Sequence, residues 1–229
     1  MSNNRFIIDR KFACLIENVG ISVTQVLKMS DLPEDLFSHQ MPSLTVTEYI
    51  RFMEALKELS IDDSTPIRIG TMDNLETFSP PIFATYCSKN ALTCMKRIST
   101  YKKLIGPLVF KVSENEKDIT LEITFENEEY QLPEFLVAIE MVFLVQLIRN
   151  ATQTCIIPKE VITRYKLDNN NYEKFFGIKP KKGQRNMLRI SKEDALRPFT
   201  SENNAMWEYF EPTFPSTAEG AFFVDRSLF

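Results

Sequence analysis

Apolar residues in the first eighty positions recur at helical spacing and are separated by signals that start and stop helices. The first stripe ends at Gly20, a common helix terminator. Ser22 with Gln25, and Thr45 with Glu48, match the capping box and each predict the start of a further helix. The apolar stripe before Gly20 consists of Ile8, Phe12, Leu15, Ile16 and Val19. The stripe after Thr45 consists of Tyr49, Phe52, Met53, Leu56 and Leu59. This region is predicted to be a group of short helices.

Three more helix starts follow along the chain. Thr65-Pro66 and Ser79-Pro80 each place a capping residue before a proline at the first helical position. A longer helix is predicted from about Asn90 to Leu104. Its apolar side carries Ala91, Met95, Ile98 and Ile105.

The apolar period then changes from that of a helix to that of a strand. Leu108, Phe110 and Val112 alternate with positions expected to face outward. The polar residues 113–118 predict a turn. The second alternating run is Ile119, Leu121, Ile123 and Phe125. These runs predict a β-hairpin with one buried face, which we expect to bury Phe110, Ile119, Leu121 and Ile123 against the helix that follows.

That helix opens at Pro133, ends near Gln153 and is apolar nearly all round, so we expect it to be central. Strands are predicted near 161–165 and 187–190, with a short helix at 172–176 between them and a last helix capped by Ser201. The order predicts an α+β fold with a mostly antiparallel sheet. We expect residues 1–212 to form one unit, with 1–88 mainly helical and 89–212 α+β.

Glu140 interrupts the apolar surface of the predicted central helix. At 100° per residue it lies about 130° from the polar face formed by Gln146, Arg149, Asn150 and Gln153, and so points inward. A buried carboxylate needs a cation or several hydrogen-bond donors. Three interpretations stay open: an ion pair with an arginine such as Arg97, Arg149 or Arg197, a polar anchor in a ligand pocket, or a catalytic acid.

Composition excludes several function classes. Six glycines in 229 residues and the absence of glycine-rich phosphate-loop motifs argue against nucleotide binding through such loops. A single histidine, His39, excludes multi-histidine metal sites, and we predict no metal, cofactor or catalytic residue. The four scattered cysteines are expected to be free and mostly buried in a reducing compartment. The N-terminus lacks a signal peptide and no apolar run is long enough for a bilayer, so a cytoplasmic protein without membrane partners is expected.

Charge is distributed unevenly along an acidic chain. The net charge is −4, whereas residues 159–197 carry +6. The densest basic segment, 179–185, is either a solvated loop or a surface that faces DNA phosphate. The cations of residues 96–103 are either solvated or form a binding site for an anionic effector or a partner. A helix-turn-helix in residues 5–38 is rejected, because its second helix would carry Asp31, Glu34 and Asp35 towards phosphate.

An ordered set of short segments resembles one protein family. The segments are Val26-Leu27, Leu32-Pro33, Arg68–Gly70, Phe78–Ala84, Arg97–Lys102, Leu132–Phe135 with Glu140, Phe175–Gly177, Asp194–Phe199, Asn203–Trp207 and Phe210–Pro212. In this order they resemble the N-terminal effector-binding (arabinose-binding-like) domain of AraC-type bacterial transcription regulators. The similar branch has an α+β sensor domain, unlike the cupin barrel of the arabinose regulator. The resemblance covers residues 5–212.

This resemblance implies a cytoplasmic sensor that binds an unknown small molecule, forms homodimers and controls a C-terminal helix-turn-helix domain. DNA contact would come only through that domain, in place of which residues 213–229 read as an irregular tail. The Phe- and Met-rich interior with one inward carboxylate suggests a small, partly apolar effector, for which an amine is one candidate polar group. The candidate effector-binding residues are Phe83, Arg97, Tyr101, Phe110 and Glu140.

Two other functions remain alternatives to the sensor. The first is a stand-alone ligand-binding or interaction protein derived from such a regulator and lacking DNA binding. The second is an enzyme, which we do not expect, because the sequence shows no nucleophile–base pair and no metal-ligand set. An excised domain and a natural truncation are equally compatible with the sequence.

Overall fold

The fold consists of a helical first half and a second half that carries the main sheet. The computed structural model describes residues 5–73, 79–102, 106–127, 129–167 and 169–213. The elements of the first half are β1 (Arg5–Ile7), α1 (Lys11–Asn18), α2 (Val23–Met29), β2 (Ser43–Thr45), α3 (Val46–Glu58), α4 (Thr65–Gly70), α5 (Pro80–Tyr86) and α6 (Ala91–Tyr101). Those of the second half are β3 (Leu108–Glu114), β4 (Asp118–Phe125), α7 (Glu134–Thr152), β5 (Glu160–Thr163), α8 (Asn170–Phe176), β6 (Lys181–Lys182), β7 (Met187–Ser191), α9 (Lys192–Ala195) and α10 (Asn204–Phe210).

The main sheet contains five strands in the order β3-β4-β7-β5-β6. Its pairings are antiparallel except that between β5 and β6. A separate antiparallel pair is formed by β1 and β2. The predicted α+β class with a mostly antiparallel sheet is therefore confirmed. The sequence did not predict β1, β2 or β6, because two or three residues are too few to show alternation and only the pairing partner defines such strands.

The hairpin of β3 and β4 has the predicted register. Phe110 pairs with Ile123, and Val112 pairs with Leu121. The residues of β4 that are at most 3% exposed are Ile119, Leu121, Ile123 and Phe125. The intervening Glu122 and Thr124 lie on the other face and are half-buried. The buried set belongs to the same hydrophobic cluster as the apolar residues of α7.

Helix α7 is the core helix of the fold. Of its 19 residues, those that are not buried are Glu134, Gln146, Arg149 and Asn150. The helix is long and apolar enough to cross a membrane, but 83% of its most apolar window is buried inside the protein, as is typical of a core helix. It ends where Gln153 adopts a left-handed conformation, with φ of 51°.

Helix starts in the first half follow the predicted capping residues in most cases. Thr45 and Glu48 form the complete capping box of α3, and the Ser22 hydroxyl accepts a hydrogen bond from the Gln25 amide at the start of α2. Helix α5 begins at Pro80 directly after Ser79, as predicted.

Two predicted caps are wrong by one or two residues. Helix α4 begins at Thr65 with Ser64 as its cap, so Pro66 occupies the second helical position. The last helix is capped by Asn203, whose side chain accepts from the Met206 amide. Ser201 instead donates its hydroxyl to the carbonyl of Tyr86. An asparagine two residues downstream offers the same capping chemistry, so residue type alone could not separate the two positions.

The basic segment 159–197 is partly neutralised by carboxylates on the main sheet. Lys181 and Arg189 both pair with Glu160, at 3.1 and 2.5 Å. Lys159 pairs with Asp118 at 2.5 Å. Part of the positive charge is therefore structural, and contact of the segment 179–185 with DNA phosphate stays a prediction.

The four cysteines divide into two environments. Cys87 and Cys94 are buried, whereas Cys14 and Cys155 are exposed, so the expectation of mostly buried thiols is correct for only two of them. Burial raises the pKa of Cys94 to about 12, which keeps this thiol protonated and unreactive near neutral pH. Of the predicted tail, residues 214–229 lie outside the described part of the chain.

Helix α4 packs against α7 at a glycine. A Cβ atom on Gly70 would lie 2.7 Å from Val142 Cγ1 and 3.1 Å from the backbone nitrogen of Phe143. We expect Gly70→Ala to lower the free energy of unfolding by about 1–3 kcal/mol, because the buried α7 cannot move aside freely. Gly106→Ala is the control, since a Cβ there meets no described atom within 4 Å. Urea unfolding that gives both variants the same stability would contradict this close contact.

Candidate functional site

A buried ion pair joins the end of α6 to the middle of α7. The Lys102 ammonium donates a hydrogen bond of 2.7 Å to Glu140 Oε1. Their side chains are only 7% and 9% exposed. Burying two charges costs several kcal/mol each, and their attraction offsets this cost only when the geometry is good and the remaining polar atoms are satisfied. This pair is the centre of the candidate site.

The position of Lys102 follows from the buried stripe of α6. Ala91, Met95 and Ile98 are buried on that helix, and the next position at the same spacing is Lys102. Its ammonium lies 5.2 Å from the centroid of the Phe110 ring on β3, close enough for a cation–π contact. Two of the predicted ligand-binding residues, Phe110 and Glu140, therefore both contact the same lysine, Lys102.

One oxygen of the Glu140 carboxylate is left without a donor. Oε2 is fully buried, and no described residue donates a hydrogen bond to it. Tyr49 of α3 is also buried nearby, and its burial together with the charge of Glu140 raises the pKa of this tyrosine well above its usual value. A buried acceptor without a partner costs about 1–3 kcal/mol, more when it is charged, so this oxygen has an unused capacity to bind a donor.

The prediction that Glu140 points into the fold is confirmed, but the predicted arginine partners are wrong. Arg149 donates to the carbonyls of Ile156 and Phe175, and Arg197 pairs with Asp194. Each of these arginines therefore has a structural role elsewhere. The cation is instead a lysine, Lys102, which enters the core at the end of a helix.

The other three predicted site residues meet in a second cluster around α10. The Arg97 guanidinium lies 3.7 Å from the centroid of the Trp207 ring and donates to the Ser88 hydroxyl at 3.0 Å. The Tyr101 ring lies 5.7 Å from that of Trp207. This aromatic cluster, which connects α5, α6 and α10, is separate from the main core and contains Phe83, Ala84, Tyr101, Met206, Trp207 and Phe210.

The two groups of residues adjoin at the end of α6. Tyr101 belongs to the aromatic cluster, and the next residue, Lys102, belongs to the buried ion pair. The structure therefore divides the five predicted residues between two adjoining places. Of the remaining cations in 96–103, Lys96 pairs with Glu114 at 3.5 Å on the surface, and residue 103 lies outside the described part.

The described residues do not form a cluster of metal-binding side chains. No set of three or more His, Cys, Asp or Glu side chains among them could hold a metal ion. His39 lies on the surface and pairs with Asp35 at 3.4 Å. The arrangement can bind a small polar group in an apolar setting, which is the chemistry of ligand recognition.

The fold of the chain is similar to that of a solved regulator structure. A solved structure, the transcriptional regulator CdpR from Pseudomonas aeruginosa, superposes with a TM-score of 0.58 at 12% sequence identity, and the match covers 87% of this chain and 60% of that one. At this identity the likeness concerns the fold alone. No curated protein sequence matches the chain.

A family model provides the assignment. The model of the N-terminal arabinose-binding domain of AraC transcription regulators matches residues 20–199. This range includes both residues of the buried ion pair and all five strands of the main sheet. The family is a ligand-binding domain of regulators and not an enzyme class. The chain therefore belongs to the family of N-terminal arabinose-binding domains of AraC transcription regulators.

Proposed function

We propose that this chain is the effector-sensing and dimerisation domain of a bacterial, cytoplasmic AraC-type regulator. It would control a DNA-binding domain that lies outside the described residues. The family match and the fold of the regulator CdpR support this proposal. The net charge of −4 is in keeping with DNA being bound by another part of the regulator.

The observation that carries the proposal is the unpartnered Glu140 Oε2. The carboxylate is fixed by Lys102 on one oxygen and offers the other to a donor within an apolar interior. An effector with an amine or a hydroxyl group would satisfy this oxygen, and its apolar part would pack on neighbouring core side chains. Lys102 and Phe110 complete this binding site in the proposal.

The aromatic cluster would carry the effector signal towards the C-terminus. Movement of Lys102 on effector binding displaces Tyr101, and Tyr101 packs on Trp207 of α10. Helix α10 follows the last strand of the sheet and is held mainly by this cluster. The predicted roles of Phe83, Arg97 and Tyr101 are therefore interpreted as coupling rather than direct effector contact.

Native mass spectrometry of protein purified from its host tests the proposal. We expect a dimer that retains a small molecule. Glu140→Gln keeps the shape of the side chain and an oxygen that can accept from Lys102, but removes the negative charge, and should lose the retained mass. It also leaves the buried Lys102 charge uncompensated, so circular dichroism of the variant is compared with that of the wild type to show that it is folded. Glu17→Gln, an exposed carboxylate on α1, should retain the bound mass. A monomer without bound mass, or equal retention by Glu140→Gln, would contradict the proposal.

A further inference from the structure

A separate cleft lies on the side of α7 opposite to Glu140. It is lined by polar groups that do not belong to the proposed effector site. It lies between α3, α4, α7 and α8 and has a volume of about 140 Å³. Pockets for drug-sized ligands measure about 300–1,000 Å³, so this cleft can hold only a small molecule. Its charged lining residues are Lys57, Asp62, Asp63, Glu134 and Lys166.

Most of these charges already have partners. Lys57 pairs with Glu134 at 2.5 Å, and Asp62 accepts two hydrogen bonds, of 2.9 and 3.1 Å, from Arg68. Lys166 is not free either. Asp63 differs, because it is exposed and makes no hydrogen bond or ion pair with a described residue. The lining has a formal charge of −1. The Asp63 carboxylate has no bonded cation among the described residues, although its charge helps to raise the pKa of Lys57.

A second observation independently indicates a ligand. The Tyr172 side chain lines the cleft and is 3% exposed overall, and its hydroxyl, which is not fully enclosed, makes no hydrogen bond with a described residue. Burial raises the pKa of Tyr172, and so do the charges of Glu134, Asp63 and Asp62. The hydroxyl therefore lies in the field of the three carboxylates of the cleft. A cation placed beside it would be stabilised by the same field.

We propose that this cleft binds a small organic ammonium ion, with Asp63 and the Tyr172 hydroxyl as acceptors of its N–H groups. An ammonium can donate to both, and a charge-assisted hydrogen bond is stronger than a neutral one. A carboxylate ligand would instead be repelled by Asp63 and would meet lysines that already have partners. The site is independent of the effector site, so either can fail without the other.

The test is a titration of the ¹⁵N-labelled protein with n-butylammonium chloride, followed by amide chemical shifts at constant ionic strength. We expect saturable shifts at Asp63, Asn169 and Tyr172. Asp63→Asn and Tyr172→Phe should each weaken binding by about tenfold or more. Sodium butanoate and 1-butanol, which have the same chain length, should produce no saturable shift.

Glu173→Gln is the matched control. It removes one negative charge from α8 beside Tyr172, but Glu173 is exposed and does not line the cleft. This variant should bind n-butylammonium as the wild type does. If Glu173→Gln weakened n-butylammonium binding as much as Asp63→Asn does, the binding would be due to general charge attraction, and the proposal would be overturned. Absence of saturable shifts in the wild type, or equal shifts with butanoate, would overturn it too. If Tyr172→Phe fails to fold, Asp63→Asn decides.

Discussion

Lys102→Met is expected to lower the free energy of unfolding by about 3–5 kcal/mol, because it leaves the Glu140 carboxylate buried without its cation. The carboxylate is held by one hydrogen bond of 2.7 Å, from Lys102, and its other oxygen has no donor among the described residues. Methionine fills a similar volume, so the loss reports the charge and not a cavity. Urea unfolding of both proteins measures it.

Two further variants make this prediction specific. Lys96→Met removes a lysine from the same helix, but its pair with Glu114 is half exposed, so the change should stay below about 1 kcal/mol. The double variant Lys102→Met/Glu140→Leu removes both buried charges and should recover most of the lost stability. A double variant less stable than Lys102→Met would show that the pair does not act as a charge-compensated unit.

Trp207→Ala is expected to release α10 from α5 and α6. Removing a buried tryptophan typically costs about 3–5 kcal/mol, and here it also removes the surface on which Arg97 and Tyr101 stack. A helix of seven residues is not stable without packing, so α10 should unfold locally while the main core stays intact.

Hydrogen exchange measures this release. The amides of α10 should exchange much faster in Trp207→Ala, whereas those of α7 keep their protection. Tyr209→Ala removes an aromatic side chain that is 54% exposed on the same helix, and should change neither. Unchanged protection of α10 in Trp207→Ala would show that the aromatic cluster is not what holds this helix.

The elements that the sequence predicted well are those with long, regular patterns. Leu121 and Ile123 lie on the buried face of β4, because eight residues of strict alternation leave one register that buries the apolar set. The central position of α7 was predicted because a helix of nineteen mostly apolar residues is stable only when it is buried in the core. The same periodicity predicted that Glu140 points inward.

The partner of Glu140 could have been found from a signal in the sequence. Lys102 continues the stripe of Ala91, Met95 and Ile98, so helical spacing alone places it on the buried side of α6. The other missed features depend on tertiary contacts. The cleft that Tyr172 lines and the stacking of Arg97 on Trp207 bring together segments that are far apart in sequence, and no local sequence pattern predicts such contacts.

The order of the strands has a consequence for synthesis of the chain. The hairpin of β3 and β4 can form locally, but β4 completes its pairing only with β7, where Asp118 meets Ser191. Roughly sixty residues separate the end of β4 from the start of β7, which at about 5–20 residues per second takes several seconds of translation. During that interval one edge of β4 is unpaired. Until β7 has been synthesised, this edge is open to pairing with another strand, so edge-to-edge association competes with folding of the nascent domain.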